Sequence, residues 1–331
     1  MTCDGCHSET ASRVARKRGL AILRCHTCGL YFVHPQPSAA SIRVLYAGNA
    51  AYAATRHASL DETSDTHASD IDATILRVSG RRGTFLDIGC STGSLIYHLR
   101  RRGWSVEGID LNEASVEIAR KHGLDVTVGA LEEMAAHKTY DVVHMGDVLE
   151  HVTSPRRALH KARDLVAPSG LLVVDLPNAA SNLARITLAA SRLTGVQWVY
   201  SEAPLHLYEF AAGSLSRMLE QCGFQPVDVT YRGRMPFTYS VGASGHFDVA
   251  KKALKRSGRY RFGPTVVPFI PMLALVSLGI APCWLASVMM DTLNGRLYKM
   301  RVVAKRFESE RPAVDRVLPA SLGPQTLNHV R

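Results

Sequence analysis

From residue 84 onward, short apolar runs alternate with longer segments whose apolar residues recur every three to four positions. The runs 84–88, 105–109, 125–128, 141–145, 171–176 and 226–231 read as strands, and 93–102, 113–122, 131–137, 155–166 and 213–222 as helical segments between them. Such alternation predicts an α/β core with a parallel, Rossmann-like sheet carrying helices on both faces. Local signals agree: Ser154-Pro155 is an N-cap followed by a first-turn proline, and Gly123 and Gly223 follow helix ends. Ser79-Gly80 and Gly83 set the core's beginning, giving a core over 80–306, a helical connector over 38–79, and a polar tail over 307–331 predicted to be disordered.

One stretch breaks the alternation. Pro264 to Met290 contains no charged residue in 27 positions, long enough to cross a bilayer. The segment after it, Leu297 to Ala304, reads as a final strand that has to return to the same sheet, which a single crossing would prevent. Pro268, Pro271 and Pro282 predict short pieces, an apolar helical hairpin inserted over 264–290 before the last strand. Lys251, Lys252, Lys255, Arg256, Arg259 and Arg261 precede it, where they can meet anionic lipid headgroups. The expectation is peripheral membrane contact through 251–290, with a buried hairpin or a dimer interface as the alternative.

Four of the seven cysteines fall in the first 28 residues as Cys3, Cys6, Cys25 and Cys28, a C-x2-C-x18-C-x2-C spacing. Two knuckles separated by a hairpin-length insert can place four thiolates around one Zn2+, so residues 1–37 read as a zinc ribbon. Four thiolates close the coordination sphere, which makes the metal structural. Two disulfides are the alternative. The N-terminus opens with polar residues where a cleavable signal needs an apolar stretch, so the expected location is cytoplasmic, peripheral on the inner face of the membrane.

The densest chemistry lies in TFLDIGCSTGSLIYHLRRRGWSVEGID, residues 84–110, which reads as strand, glycine turn, helix and second strand with a carboxylate closing each strand. Gly89 and Gly93 let the backbone approach a ligand and the next helix. Asp110, 21 residues beyond Gly89, stands where a carboxylate accepts hydrogen bonds from both ribose hydroxyls. Asp87 lies beside the turn where a dinucleotide's pyrophosphate would sit. It repels such an anion and suits an ammonium and a sulfonium cation.

DIGCSTG resembles the first motif of the class I S-adenosylmethionine-dependent methyltransferases. DVVHMGDVLEHV (141–152) is similar to their fourth strand and acidic turn, LLVVDLPN (171–178) to their fifth strand, and APLHLYEF (203–210) to the H-L-Y-x-F segment of a small-molecule subgroup. CHTCGLYFVHPQP resembles the N-terminal ribbon preceding such a core in a bacterial family. The resemblance implies S-adenosylmethionine as cofactor, held by Asp87, Gly89, Cys90, Gly93, Asp110, Leu111 and Asp147, with the adenine near Ala130 and Leu131. It implies methyl transfer to a small-molecule or lipid- or glycan-linked acceptor. For a hydroxyl acceptor a base must take the proton, with His151 the first candidate and His206 the second. Asp147, Glu150 and His151 also resemble an acidic-acidic-histidine cluster associated with a divalent cation in quinone O-methyltransferases, although the first position here is Asp instead of Glu.

Composition fits an enzyme of this kind. The chain has 331 residues, 46% hydrophobic and 21% charged, and a formal charge of +10. The basic residues are dispersed outside Arg100–Arg102 and the 251–261 group, and the fourth-strand turn lacks the N/D-P-P-Y signature of base amino-group methylation, so nucleic acid is not expected as partner. A zinc-ribbon binding protein with an inactive core, a nucleic-acid methyltransferase and a nicotinamide dehydrogenase are the rival readings. The intact Asp87, Gly89, Gly93 and Asp110 oppose the first, and the missing middle glycine opposes the last.

Overall fold

The computed structural model describes residues 2–38, 40–42, 62–134, 138–233 and 269–307. The basic stretch 251–261, the beginning of the apolar insertion, positions 39 and 43–61 of the 38–79 connector and the tail beyond 307 lie outside these residues. Two sheets organise the rest. The N-terminal part forms strands β1 (Ala11–Lys17), β2 (Leu20–Cys25) and β3 (Tyr31–His34). Helix α1 (Glu62–Ser79) leads into the core, which alternates β4 (Thr84–Ile88), α2 (Ser94–Arg101), β5 (Ser105–Asp110), α3 (Glu113–Lys121), β6 (Val126–Val128), β7 (Tyr140–Gly146), α4 (Pro155–Leu165) and β8 (Val166–Pro177). Helix α5 (Asn182–Thr194), β9 (Tyr208–Glu209), α6 (Ala212–Gln221), β10 (Phe224–Arg232), α7 (Phe269–Asn294) and β11 (Lys299–Arg306) complete the chain.

The larger sheet has the order β10-β11-β8-β7-β4-β5-β6. All its neighbours are parallel except β11, which runs antiparallel to both β10 and β8. β7 and β8 are almost wholly buried, as strands covered by helices on both faces must be. Helix α4 shows why its segment folds as it does: Ser154 caps it by accepting from the Arg157 amide, Pro155 opens it, and Ala158, Leu159, Ala162 and Leu165 form the buried stripe. The reversal at β4 and β7 opens a crevice at the carboxyl ends of the strands.

Three expectations change. The segment 131–137 holds only a single 3-10 turn over Leu131–Glu133 among its described residues. Helix α5 was not foreseen; Ser181 caps it by accepting from the Ala184 amide. From Phe269 on, the apolar insertion is part of one 26-residue helix, not a proline-broken hairpin. Pro271 lies in its first turn, where no intrahelical amide bond is lost, while Pro282 sits inside and removes one. The far end is anchored to α5, where the Asn182 side-chain amide donates to Asp291 at 2.8 Å and to Asn294 at 2.9 Å. Among the described residues no helix is long and apolar enough to cross a membrane.

The smaller sheet has the order β1-β2-β3-β9, so its fourth strand comes from beyond residue 200. Cys3, Leu23, Cys25, Leu30 and Phe32 share one apolar cluster with Leu149, Leu207, Phe210 and the β7 and β8 side chains.

Candidate active site

The turn after β4 is closed by backbone bonds, with the Gly89 and Cys90 amides both donating to the Ile109 carbonyl. Gly89 has φ +74°, and a Cβ there would meet Val148 Cγ2 at 2.5 Å. Gly93 has φ +76°, and a Cβ would meet Leu124 Cδ1 at 2.4 Å, so this glycine brings α2 close to its neighbours. Asp110 accepts from the Ser91 amide at 2.8 Å and from the Asn112 amide at 2.8 Å, one on each carboxylate oxygen. Each oxygen therefore keeps an acceptor site. Burial raises the Asp110 pKa against these two amide bonds, which lower it.

These turns frame a cavity of about 650 Å³ lined by Gly89, Asp110, Leu111, Ala130, Leu131, Asp147 and His151. Sequence reasoning names all seven as candidates. It missed Ser91, Asn112 and Val148, which also line the cavity, and Ser91 Oγ is buried with no partner among the described residues. Asp87, Cys90 and Gly93 stand outside the lining. Cys90 is buried beneath the turn, and Asp87 points into the sheet and pairs with His144.

His144, which the motifs did not flag, lies within the sheet and outside the cavity lining, and an ionisable residue inside the apolar run DVVHMG was a visible anomaly. It is fully enclosed, with Nδ1 2.7 Å from Asp87 and Nε2 3.2 Å from Asp175. Asp175 in turn accepts from the buried Arg301 at 2.8 Å, and Arg301 reaches Asp70 at 3.1 Å. Burial pushes the His144 pKa down, but the Asp87 charge and hydrogen bonds to both carboxylates outweigh it and hold it at about 9. Asp175 is held well below the usual carboxylate range: burial opposes this, and His144 and Arg301 prevail.

Asp147 occupies the left-handed region with φ +53°, a conformation that is uncommon for a residue with a side chain. It is fixed by its amide to the Asp175 carbonyl at 2.8 Å and by Lys299 on β11 at 2.5 Å. Beyond it, His151 Nδ1 lies 2.9 Å from the Leu205 carbonyl. A carbonyl can only accept, so Nδ1 carries the proton and Nε2 of the neutral ring keeps its lone pair. His206 stands outside the cavity lining and packs edge-on against His151, ring centres 4.7 Å apart. Burial opposes the charged form of His206, while Glu209 beside it holds its pKa up, at about 9. Glu150 is pushed up to about 8 by burial and then by Asp147, and neither of its carboxylate oxygens has a hydrogen-bond partner among the described residues. Ligand atoms of Glu150, His151 and His206 lie within 4.8 Å of one another, whereas Asp147 is engaged by Lys299.

At the N-terminus the four predicted cysteines converge, with one sulfur of each within 4.8 Å of the others. Cys3 Sγ is 3.6 Å from Cys28 Sγ, and Cys6 Sγ is 3.5 Å from Cys25 Sγ. A tetrahedral zinc with bonds of about 2.3 Å implies sulfur separations of about 3.8 Å, so the four sulfurs fit that ion. All four are free thiols, not the disulfides of the alternative reading. The hydrogen bond between Cys3 and Cys28 lowers the Cys28 pKa and raises that of Cys3.

A seven-stranded sheet with one reversed strand, a glycine turn under a crevice, and a carboxylate with spare acceptor sites define a cofactor-binding α/β enzyme. Residues 64–229, half of the chain, match the family described as Methyltransferase domain. The chain is 31% identical over 184 residues to a ubiquinone biosynthesis O-methyltransferase of Bordetella avium, covering 52% of this chain and 73% of that one. It is 36% identical over 109 residues to a ubiquinone biosynthesis O-methyltransferase of Alkalilimnicola ehrlichii, covering 30% and 43%. A solved methyltransferase of Archaeoglobus fulgidus shares 18% identity over 73% of this chain and 94% of that one, with a TM-score of 0.44. The chain belongs to the class I S-adenosylmethionine-dependent methyltransferases, and it is an enzyme of that class.

Proposed function

We propose that the protein moves a methyl group from S-adenosylmethionine to a hydroxyl oxygen of a small-molecule acceptor, with His151 as the base. The observation that carries this reading is the His151 ring, on the cavity wall with Nδ1 bound to the Leu205 carbonyl, which makes Nε2 the unprotonated nitrogen of the neutral ring. The names of the relatives, which are O-methyltransferases, favour oxygen as the acceptor atom.

The cofactor supplies a methyl group already activated on a sulfonium. Asp110, oriented by the Ser91 and Asn112 amides, would hold the ribose hydroxyls, and Ala130 and Leu131 would bound the adenine. Asp147, held by Lys299, lines the cavity beside them. His151 takes the acceptor's hydroxyl proton at Nε2, and the Leu205 carbonyl stabilises the imidazolium that results. Alignment supplies most of the rate in such a displacement. Four thiolates would hold one structural zinc in the ribbon.

The acceptor we propose is amphiphilic and is met at the cytoplasmic face of a membrane. Leu285, Met289 and Leu293 are 55%, 68% and 84% exposed on one stripe of α7, and Leu193 on the adjoining α5 is 88% exposed. The six basic residues of 251–261 in the sequence suit anionic headgroups.

The test uses radiolabelled S-adenosylmethionine and a catechol bearing an alkyl chain. Product methylated at oxygen is expected, and His151→Ala should lower turnover by about 10²- to 10⁴-fold with cofactor affinity unchanged. Methyl on carbon or nitrogen, or full turnover in the variant, would overturn the reading.

A further inference from the structure

The ribbon and the turn bearing His151 are tied together at two separate points. The first tie runs through the knuckle Cys3–Cys6. Asp4, between its cysteines, accepts from the Ser154 hydroxyl at 3.0 Å and from the Arg156 amide at 2.9 Å. Arg156 donates back to the Asp4 carbonyl at 3.1 Å and the Gly5 carbonyl at 2.8 Å. The knuckle thus holds Ser154, the cap of α4, three residues beyond His151.

The second tie runs through the knuckle Cys25–Cys28, which hydrogen-bonds internally from the Gly29 amide to the Cys25 carbonyl and leads directly into β3. β3 pairs with β9, Tyr31 opposite Glu209 and Phe32 opposite Tyr208, and the Val33 amide donates to the Leu207 carbonyl at 2.9 Å. The other edge of this segment grips the catalytic turn. The Leu207 amide donates to the Glu150 carbonyl at 2.8 Å, the Tyr208 hydroxyl donates to the Thr153 carbonyl at 3.0 Å, and the Leu205 carbonyl accepts from His151. The segment between ribbon and turn is the one that carries His206 and Glu209.

The cofactor side is built differently. Gly89, Cys90, Ser91 and Asn112 bond to β5 and Asp110, within the large sheet.

We infer that the two cysteine knuckles are a positioning device for His151: closure of the four thiolates on one metal sets the acceptor side of the site and leaves the cofactor side unchanged. The inference rests on the reading of His151 as the acceptor-side base. Cys3, Cys6, Cys25 and Cys28, with Asp4 and Val33, are positioning residues that act through Leu205, Glu150 and Ser154. Moving a reacting group by about 1 Å can cost about 10²-fold in rate, so loosened ties are enough to matter.

The experiment uses the full chain labelled with 15N at histidine, before and after removal of zinc by a chelator, together with Asp4→Ala, which disturbs one tie without touching a thiol. Metal removal should abolish the protected Nδ1–H signal of His151 and speed amide exchange at Leu207 and Tyr208 by about tenfold or more. S-adenosylmethionine affinity by calorimetry should stay within about threefold, since the cofactor contacts lie in the other sheet. Asp4→Ala should keep a full equivalent of zinc and partly lose the same signal. Turnover of the alkyl catechol should fall in step with the signal while its KM for cofactor holds. An unchanged His151 signal after metal removal would overturn the inference. So would joint loss of the signal and of cofactor binding, which would make the ribbon a general support of the fold. If His151→Ala retains full turnover while the signal still follows zinc, the base assignment fails and the structural coupling stands.

Discussion

Replacing His144 by Leu removes the side-chain partner of the Asp87 carboxylate and leaves the Asp175 carboxylate to Arg301. Asp87 is only 4% exposed, so its carboxylate becomes a buried charge without compensation. Removing one partner of a buried pair costs about 3–5 kcal/mol. An independent route gives a similar figure: an imidazole held at about 9 against its ordinary value of 6.5 corresponds to about 3 kcal/mol of preference for the charged form. The sign fixes a pH window. Because the folded value is raised, the contribution is fully present below pH 6.5 and is lost as pH rises through about 9. Wild-type stability in urea should therefore fall between those limits, and the His144→Leu variant should lack that fall while being less stable at pH 6 by about 3 kcal/mol. Adding Asp87→Asn removes the stranded charge, so the double variant should be less destabilised than the sum of the two single ones. Stability of His144→Leu within about 1 kcal/mol of wild type at pH 6, or strict additivity in the cycle, would refute the assignment of a charged imidazolium between two carboxylates.

Asp110→Ala should weaken S-adenosylmethionine binding by about 2–3 kcal/mol, since two hydroxyl bonds to a charged acceptor are lost, and calorimetry at wild-type affinity would disprove that placement. Cys25→Ser with Cys28→Ser should lose the zinc equivalent in metal analysis and expose residues 1–37 to protease, with cofactor binding retained. Leu285→Glu with Leu293→Glu, both at exposed positions, should release the protein from vesicles containing anionic lipid without altering thermal stability; retention on the vesicles counts against the α7 stripe as the docking face. At acid pH, stability carried by Asp175 is present above its ordinary value near 3.8 and is lost as pH falls through its depressed one, so Arg301→Met should shift acid unfolding to higher pH.

What the sequence made legible was whatever a residue type enforces by itself. The glycines at 89 and 93 announce positive φ and close approach, and both are found there. Four cysteines in two short pairs announce a four-sulfur centre, and the sulfurs converge. Apolar runs of strand length announce buried parallel strands; β4, β5 and β7 lie within one residue of their expected limits, while β8 begins five residues before its expected start. The proline count in the insertion misled because a proline's cost depends on position. Pro271 in a first turn loses nothing, and one interior proline does not outweigh a helix anchored to α5 by Asn182. Asp87 misled in another way, since a carboxylate next to a glycine turn can point to the ligand or into the sheet, and His144, 57 positions away, decides which.

The joining of ribbon and site was not legible at all, for a physical reason. Val33 to Leu207, Leu207 to Glu150 and His151 to Leu205 are bonds in which at least one partner is a backbone group, and every non-proline residue offers the same amide and carbonyl. No choice of side chain at 33, 205 or 207 records them. Only the pairing of β3 with β9 brings residues about 175 positions apart into register, and that pairing depends on the apolar cluster shared by Phe32, Leu207 and Phe210. A boundary drawn after residue 37 therefore separates in sequence what the sheet joins in space. His151, the base we propose, sits one hydrogen bond from the segment that bridges the two.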